Sequence, residues 1–333
     1  ICPCRDIRSA ILNYKTEYVD QHGLKLSIRF IESVERIGKL GGAFPELTNA
    51  LLQHDPTRGV VQGLLGIHRD RKFPRFPEQN FDRWWRENNL ASKKKSAAKR
   101  KVAYFAGCTA RYLFPDVAAA TVEVLQQNGV DVLVPQQQCC GMPALLEGDR
   151  RLTLKLANEN VERWADIVDQ GYDIICSCPT CGHMLKTVIS AGAEGQKLNR
   201  LIGGSNGDFV ELPVNESMLV YIHPQAEGTL KVPKKYLENL VKDTSYFDTA
   251  DPVKRLAISE NTYDVGEYLW KLHQTNELNT NFERLDVEAV YYPPCHLREQ
   301  RTESPYQDLL NLIPGFHMEP IKGNYCCGNA GIM

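Results

Sequence analysis

Three cysteines of this 333-residue chain recur at one displacement: Cys108, Cys139 and Cys140 are followed, 187 positions later, by Cys295, Cys326 and Cys327. Each set has the same order, an apolar run, a cysteine, a helical stretch, a second apolar run and then Cys-Cys-Gly. A repeat of that length and order reads as the internal duplication of a supersecondary unit. The duplication limits the fold more than any composition does.

In the first copy, residues 102–105 and 130–134 have the pattern of short buried strands, and 117–127 has helical spacing between them. Beyond the cysteine pair, 151–169 reads as an amphipathic helix, 172–175 as a third strand, and Cys178-Pro179-Thr180-Cys181 follows at once. This βαβαβ order predicts an α/β fold, a parallel sheet with helices on its faces. The second copy runs through a strand at 287–292, a helix at 306–312 and a strand at 316–321. Its C-x2-C would fall at about 365 and 368, so it is expected to be truncated and the chain to be part of a longer protein. Ligands of parallel sheets sit beyond the carboxyl ends of the strands. Every cysteine group of the first copy follows a predicted strand, so the groups are expected to converge.

Eleven cysteines, two adjacent pairs among them, suit reduced thiolates occupied by metal better than a disulfide framework. A cytoplasmic location is expected, since no apolar run reaches the length of a membrane span and no charged-then-apolar leader opens the sequence. The net charge of −2 hides a basic stretch: residues 69–101 carry +8 and the rest −10. That stretch, with Lys93-Lys94-Lys95 followed by Lys99-Arg100-Lys101 toward its end, reads as a solvated linker rather than a site for nucleic acid or anionic lipid. No Gly-rich dinucleotide loop stands between a strand and a helix, so neither a flavin nor a nicotinamide site is expected on this chain.

The first copy supplies five thiolates as C-x30-C-C-x37-C-x2-C. Four thiolates hold an ordinary [4Fe-4S] cluster, so five suggest a spare ligand or a thiolate that bridges irons. A turn at Gly141 would aim both members of the cysteine pair at one centre. On spacing alone, a four-cysteine zinc site is the alternative.

Cys108, Cys139-Cys140-Gly141 and Cys178-Pro179-Thr180-Cys181 together resemble the cysteine-rich CCG domain that occurs twice in one subunit of heterodisulfide reductase and in related iron-sulfur subunits. The resemblance implies a noncubane [4Fe-4S] cluster held by Cys108, Cys139, Cys140, Cys178 and Cys181, with Cys295, Cys326 and Cys327 as the ligands present in the second copy. The chain also resembles the iron-sulfur subunits of anaerobic glycerol-3-phosphate dehydrogenase and of glycolate and D-lactate oxidases, which run from a ferredoxin domain through a helical linker to two CCG domains. Cys2-Pro3 looks like the end of a ferredoxin motif, which implies that Cys2 is the last ligand of a cubane 4Fe-4S cluster. Arg83-Trp84-Trp85-Arg86 looks like the family's linker ahead of the first CCG domain.

The implied organisation is a ferredoxin remnant over 1–20, a helical basic linker over 21–100, a first CCG domain with an insertion over 101–285 and a truncated second over 286–333. Helical periodicity in the linker is read at 30–40, 57–68 and 81–88, and 203–251 looks irregular. The implied function is electron transfer from a flavin-containing dehydrogenase subunit to quinone or another carrier, with a peripheral contact on the inner face of the membrane. The alternative is reduction of a disulfide at the noncubane cluster itself. Cys4 and Cys176 fall outside the repeat and read as small core residues. His183 and His296 stand close enough to ligands to tune a cluster by hydrogen bonding. Trp84 and Trp85 are expected to pack against the CCG domain or to meet a membrane interface.

Overall fold

Val102, Ala103, Tyr104 and Phe105 are all fully buried, which requires a strand covered on both faces. In the computed structural model, which describes residues 7–88, 100–193, 208–213, 229–235, 245–300 and 304–321, these residues belong to β1 (Arg100–Phe105), flanked in parallel by β2 (Val130–Leu133) and β3 (Asp173–Cys176). A fourth parallel strand, β6 (Thr262–Asp264), pairs with the outer side of β3, giving the order β2-β1-β3-β6. The molecule is therefore α/β with a parallel sheet, as the βαβ pattern predicts.

Alternation along β1 builds two cores. Ala103 and Phe105 face the side covered by α9 (Met142–Glu147), α10 (Arg150–Asp169) and α12 (Pro252–Glu260), where Phe105 meets Trp164 at 5.1 Å between ring centroids. Val102 and Tyr104 face α8 (Pro115–Gln127) and α13 (Val265–Gln274), packing with Leu125, Tyr268 and Leu272. The helix α10 starts at Asp149, whose side chain accepts from the Leu152 N–H at 2.8 Å, and buries Ala157, Val161, Trp164 and Ile167. At the end of β6, Asp264 caps α13 in a capping box with Glu267.

The N-terminal part is helical: α1 (Ile7–His22), α2 (Leu26–Glu32), α3 (Val34–Gly41), α4 (Pro45–Gln53), α5 (Asp55–Leu65) and α6 (Phe81–Asn88). The single helix read at 30–40 is broken at Ser33, whose hydroxyl turns back onto the Arg29 carbonyl at 2.7 Å. The helix read at 57–68 begins two residues earlier and ends at Leu65, because Gly66 takes a left-handed conformation (φ 69°). The helix α4, started by Pro45, lies outside the segments read as helical from the sequence.

The stretch read as a solvated basic linker is in part a packed one. Phe76 and Phe81 are buried, Phe81 meeting the Tyr104 ring edge-on at 5.7 Å and stacking on Trp84 at 5.6 Å. Trp84 and Trp85 pack against the α8 side of the sheet. Beside them Arg111, on α7 (Gly107–Tyr112), donates to both Asp82 carboxylate oxygens at 3.0 and 2.6 Å, to Glu35 at 3.2 Å and to the Gln137 carbonyl at 3.0 Å. The Tyr112 hydroxyl donates to Glu35 at 2.8 Å. One buried guanidinium thus ties α3 and α6 to the sheet domain. Lys93-Lys94-Lys95 lie outside the described residues.

The stretch 203–251, read as irregular, contains the antiparallel pair β4 (Phe209–Pro213) and β5 (Thr229–Pro233). A separate parallel pair, β7 (Val287–Tyr291) and β8 (Phe316–Pro320), carries α14 (Cys295–Glu299) and α15 (Ser304–Leu310) in the connection between its strands. These strands stand close to 187 residues beyond β1 and β2.

Two expectations follow from the docking of the helices. Truncating Arg111 to Met leaves Asp82 and Glu35 without their cation at a partly buried contact and is expected to cost about 1–3 kcal/mol in chemical denaturation, whereas changing Asp82 and Glu35 to their amides in the same variant recovers part of that loss. Glu32, buried at the end of α2, has its carboxyl raised from 4.5 to about 7, by burial first and then by the charge of Asp149, a hydrogen bond with Asp149 and the charge of Glu147, against Arg29. The folded state therefore keeps a proton that the unfolded chain releases. Its contribution is intact below about pH 4.5 and is lost as pH rises through about 7. Glu32→Gln is expected to be more stable than the parent above pH 7 and equal to it near pH 4.5, by thermal melts across that range.

Candidate metal centre

Parallel strands all end at the same edge, so whatever follows them is gathered there. Cys108 follows β1 in the first turn of α7, Cys139 and Cys140 lie between β2 and α9, and Cys178 caps α11 (Pro179–His183), which holds Cys181 and follows β3. The order β2-β1-β3 reverses direction between β1 and β3, which is where such sheets open a crevice. The five predicted cysteines of the first copy meet there. All are buried except Cys178, which is half-buried.

The sulfurs form a chain of contacts rather than a ring. Cys108 and Cys139 stand 3.9 Å apart, and the electrostatic coupling runs on between Cys139 and Cys140, between Cys140 and Cys181 and between Cys181 and Cys178. Among the described residues, no three Cys, His, Asp or Glu side chains are grouped for a single metal ion. Two glycines make the approach feasible. A Cβ on Gly107 (φ 66°) would lie 2.6 Å from the Cys181 sulfur, and Gly141 (φ 92°) takes the left-handed turn that lets adjacent cysteines share one side.

Electrostatics divide the five. The thiol of Cys140 is brought down to about 6 by hydrogen bonds from Cys139 and then Cys181, helped by the Met142 backbone N–H, against burial. Cys178 is likewise brought down to about 6, by Cys181 first and also by the backbone N–H groups of Cys181 and Thr180 and the Thr180 side chain. Cys181 is pushed well up by its hydrogen bonds to these two, with burial adding to the rise. Cys108 is pushed well up by its hydrogen bond with Cys139 and by burial. Cys139 is pulled down by Cys108 but pushed up further by Cys140 and by burial. The surroundings favour charge on Cys140 and Cys178 and oppose it on the other three, a donor set from which a bound cation would displace protons.

Cys176, the last residue of β3, is fully buried and raised well above its usual range by burial, the setting of a core thiol. Cys295 opens α14 and is exposed. Cys2, Cys4, Cys326 and Cys327 lie outside the described residues. Two residues not singled out from sequence brace the site. Buried Gln137 accepts from the Gly107 N–H at 3.0 Å and donates to the Tyr104 carbonyl at 3.3 Å, joining the start of α7 to the cysteine-pair loop. Buried Asn160 of α10 donates to the Cys139 carbonyl at 2.9 Å. Gln137 stands two residues before the pair, the one sequence cue available for either.

Among the described residues, no helix is long and apolar enough to cross a membrane. Residues 102–186 and 289–333 both match the cysteine-rich domain known as CCG. Over 304 residues the chain is 22% identical to a subunit of the anaerobic glycerol-3-phosphate dehydrogenase of Escherichia coli, covering 90% of this chain and 61% of that protein. It is 26% identical over 235 residues to lactate utilization protein A of Halalkalibacterium halodurans, covering 69% and 71%. It is 25% identical over 235 residues to a subunit of the fumarate reductase (CoM/CoB) of Methanothermobacter marburgensis, covering 69% and 33%. The chain thus spans about three fifths of the length of the first of these relatives. The five gathered cysteines lie inside the first stretch that matches the cysteine-rich CCG domain, and Cys295 lies inside the second.

Proposed function

We propose that this chain is the electron-transfer part of an oxidoreductase complex and holds a noncubane [4Fe-4S] cluster on Cys108, Cys139, Cys140, Cys178 and Cys181. One observation carries the reading: five thiols share a single buried pocket in which backbone N–H groups already serve three of the sulfurs. The donor set fits such a group. Soft thiolates select iron-sulfur centres or zinc, and five sulfurs strung in contact suit several metal ions better than one. Such a cluster supplies one-electron storage. The protein's part is to keep the sulfurs at fixed spacing, to exclude water through the packing of Phe105, Leu145 and Trp164, and to offer N–H donors to the negative charge.

By the family likeness, a flavin-containing dehydrogenase subunit would oxidise glycerol 3-phosphate or a 2-hydroxy acid and pass electrons here, and quinone or another carrier would take them on. Cys295, Cys326 and Cys327 would begin a second, duplicated site, and Cys2 would complete a cubane cluster in the segment before α1. The complex would work in the cytoplasm, against the inner face of the membrane where quinone is reached. A second reading, disulfide reduction at the centre itself, draws on the resemblance to heterodisulfide reductase and on surroundings that lower the thiols of Cys140 and Cys178.

Purified without oxygen, the protein is expected to be brown, with about four irons and matching acid-labile sulfide for the complete motif. Cys108→Ser and Cys178→Ser are expected to lose most of that iron, and Cys176→Ala to keep it. A colourless protein that binds zinc would refute the iron-sulfur reading, and disulfide turnover by the isolated chain would favour the second reading over the first.

A further inference from the structure

Two of the three cysteine-bearing turns of the first site are braced by a buried side-chain amide on a main-chain carbonyl. Gln137 donates to the Tyr104 carbonyl ahead of Cys108 at 3.3 Å, and Asn160 donates to the Cys139 carbonyl at 2.9 Å. The third turn, Cys178-Pro179-Thr180-Cys181, has such a brace as well, and it comes from the second matched stretch. Gln300, at the C-terminal cap of α14, is buried and donates from Nε2 to the Pro179 carbonyl at 2.9 Å.

The helices α11 and α14 pack on each other here. The His183 and His296 rings stack with centroids 5.0 Å apart and planes 15° apart, and the Thr180 hydroxyl stands 2.9 Å from His296 Nδ1. These contacts hold α14 beside α11, and Gln300 reaches from its cap to the turn itself.

The orientation of the amide follows from its neighbours. Nε2 carries two protons, and the second is donated to the His296 carbonyl at 3.0 Å. Reversing the amide would set Oε1 against both carbonyl oxygens, so the nitrogen faces the turn. The amide also lies against Gly182, the residue after Cys181, where a Cβ would stand 2.8 Å from Oε1 and 3.1 Å from Nε2. Only a residue without a Cβ leaves it room. Gly182 in turn donates its N–H to the Cys178 carbonyl at 3.0 Å. Gln300 therefore meets the turn at both ends, at Pro179 beside one ligand and at Gly182 beside the other.

We propose that Gln300 is a positioning residue for the first site: a residue of the second matched stretch that fixes the Cys178–Cys181 turn and so the spacing of two of the five sulfurs. What the turn holds rests on the iron-sulfur reading above, whereas the brace stands on the amide geometry alone. The first site is then complete only when α14 is docked, because Gln137 and Asn160 belong to the first stretch and Gln300 does not.

The test uses the full chain purified without oxygen and reads iron content, the electron paramagnetic resonance spectrum of the reduced centre and hydrogen exchange at two amides. The Gly182 N–H reports the braced turn, and the Leu145 N–H, 3.0 Å from the Gly141 carbonyl, reports the cysteine-pair loop as a control. Gln300→Met keeps the volume and removes the donor. It is expected to exchange about fivefold faster at Gly182 with Leu145 unchanged, the effect of one hydrogen bond, and to broaden the spectrum as two sulfurs are held less uniformly. Gly182→Ala, whose Cβ displaces the amide, is expected to broaden the spectrum likewise, and to add nothing in a Gln300→Ala background, since both changes remove one contact. Unchanged exchange at Gly182 in Gln300→Met, a rise of equal size at both amides, an unchanged spectrum at equal iron content, or broadening from Gly182→Ala and Gln300→Ala that simply adds would overturn the inference. Should Gln300→Met lose its iron, exchange is compared between the metal-free variant and the metal-free parent, and a rise confined to Gly182 sustains the brace while any other result sinks it. A parent chain that holds no iron or labile sulfide would defeat the iron-sulfur reading itself, and exchange at Gly182 would still decide on the brace.

Discussion

Five thiols in one buried pocket form the constraint around which the rest of this molecule is arranged. A buried thiolate is unfavourable unless hydrogen bonds or a cation compensate it, and here the compensation reaches two sulfurs, Cys140 and Cys178, out of the linked five. Charge on the remaining three is opposed by their hydrogen bonds to neighbouring thiols, by burial and by the charge of those neighbours. Such a pocket is poised for a cationic guest that can replace several protons together. Gly107, Gly141, Gln137 and Asn160 all serve the same end, holding sulfur-bearing loops closer than ordinary side chains and unbraced backbone would allow.

The parallel sheet is what makes the gathering possible. Cysteines separated by 30 and 37 residues in sequence come together because each follows a strand whose end lies at the same edge. That much was legible, since the strand at 102–105 is apolar on both faces and each cysteine group comes shortly after a strand. What was not legible depends on tertiary packing. The strand β6 is three residues long, with Thr262 and Asp264 as its buried members, and carries no alternation that would mark it as a strand. Gln137 and Asn160 are polar residues whose role exists only once the cysteine-pair loop lies between α7 and α10. The break at Ser33 turns on a single hydroxyl choosing a backbone carbonyl, which helical periodicity does not register.

The N-terminal helices carry another lesson about charge. A stretch with a large excess of Lys and Arg suggests a solvated segment, yet the one cation that matters most to the packing, Arg111, lies outside that stretch and is buried on α7. It is opposed by Asp82, an acid within the basic stretch, and by Glu35 on α3. The same guanidinium bonds the Gln137 carbonyl, two residues before Cys139. Docking of the helices and the shape of the cysteine-pair loop are therefore one event energetically. A change at the helical surface can reach the sulfurs through a single side chain without any movement of the sheet.

The two matched stretches are not used alike. Cys108 is buried under α7 and hydrogen-bonded into the sulfur chain, whereas Cys295, which begins the corresponding helix after β7, is exposed. Of the second stretch it is His296 and Gln300, rather than the cysteine, that reach into the first. The two matched stretches contribute helices, α11 and α14, that pack on each other, and each gives the other side chains that it lacks. At the 187-residue displacement, His296 and Gln300 correspond to Thr109 and Leu113 of the first copy, so neither junction residue of α14 is repeated there. The stack of His296 on His183 is made between copies rather than within one, and such a contact selects a different residue on each side of it. A repeat that keeps its cysteines and changes the positions beside them can therefore hold similar ligand sets while giving each a different neighbour.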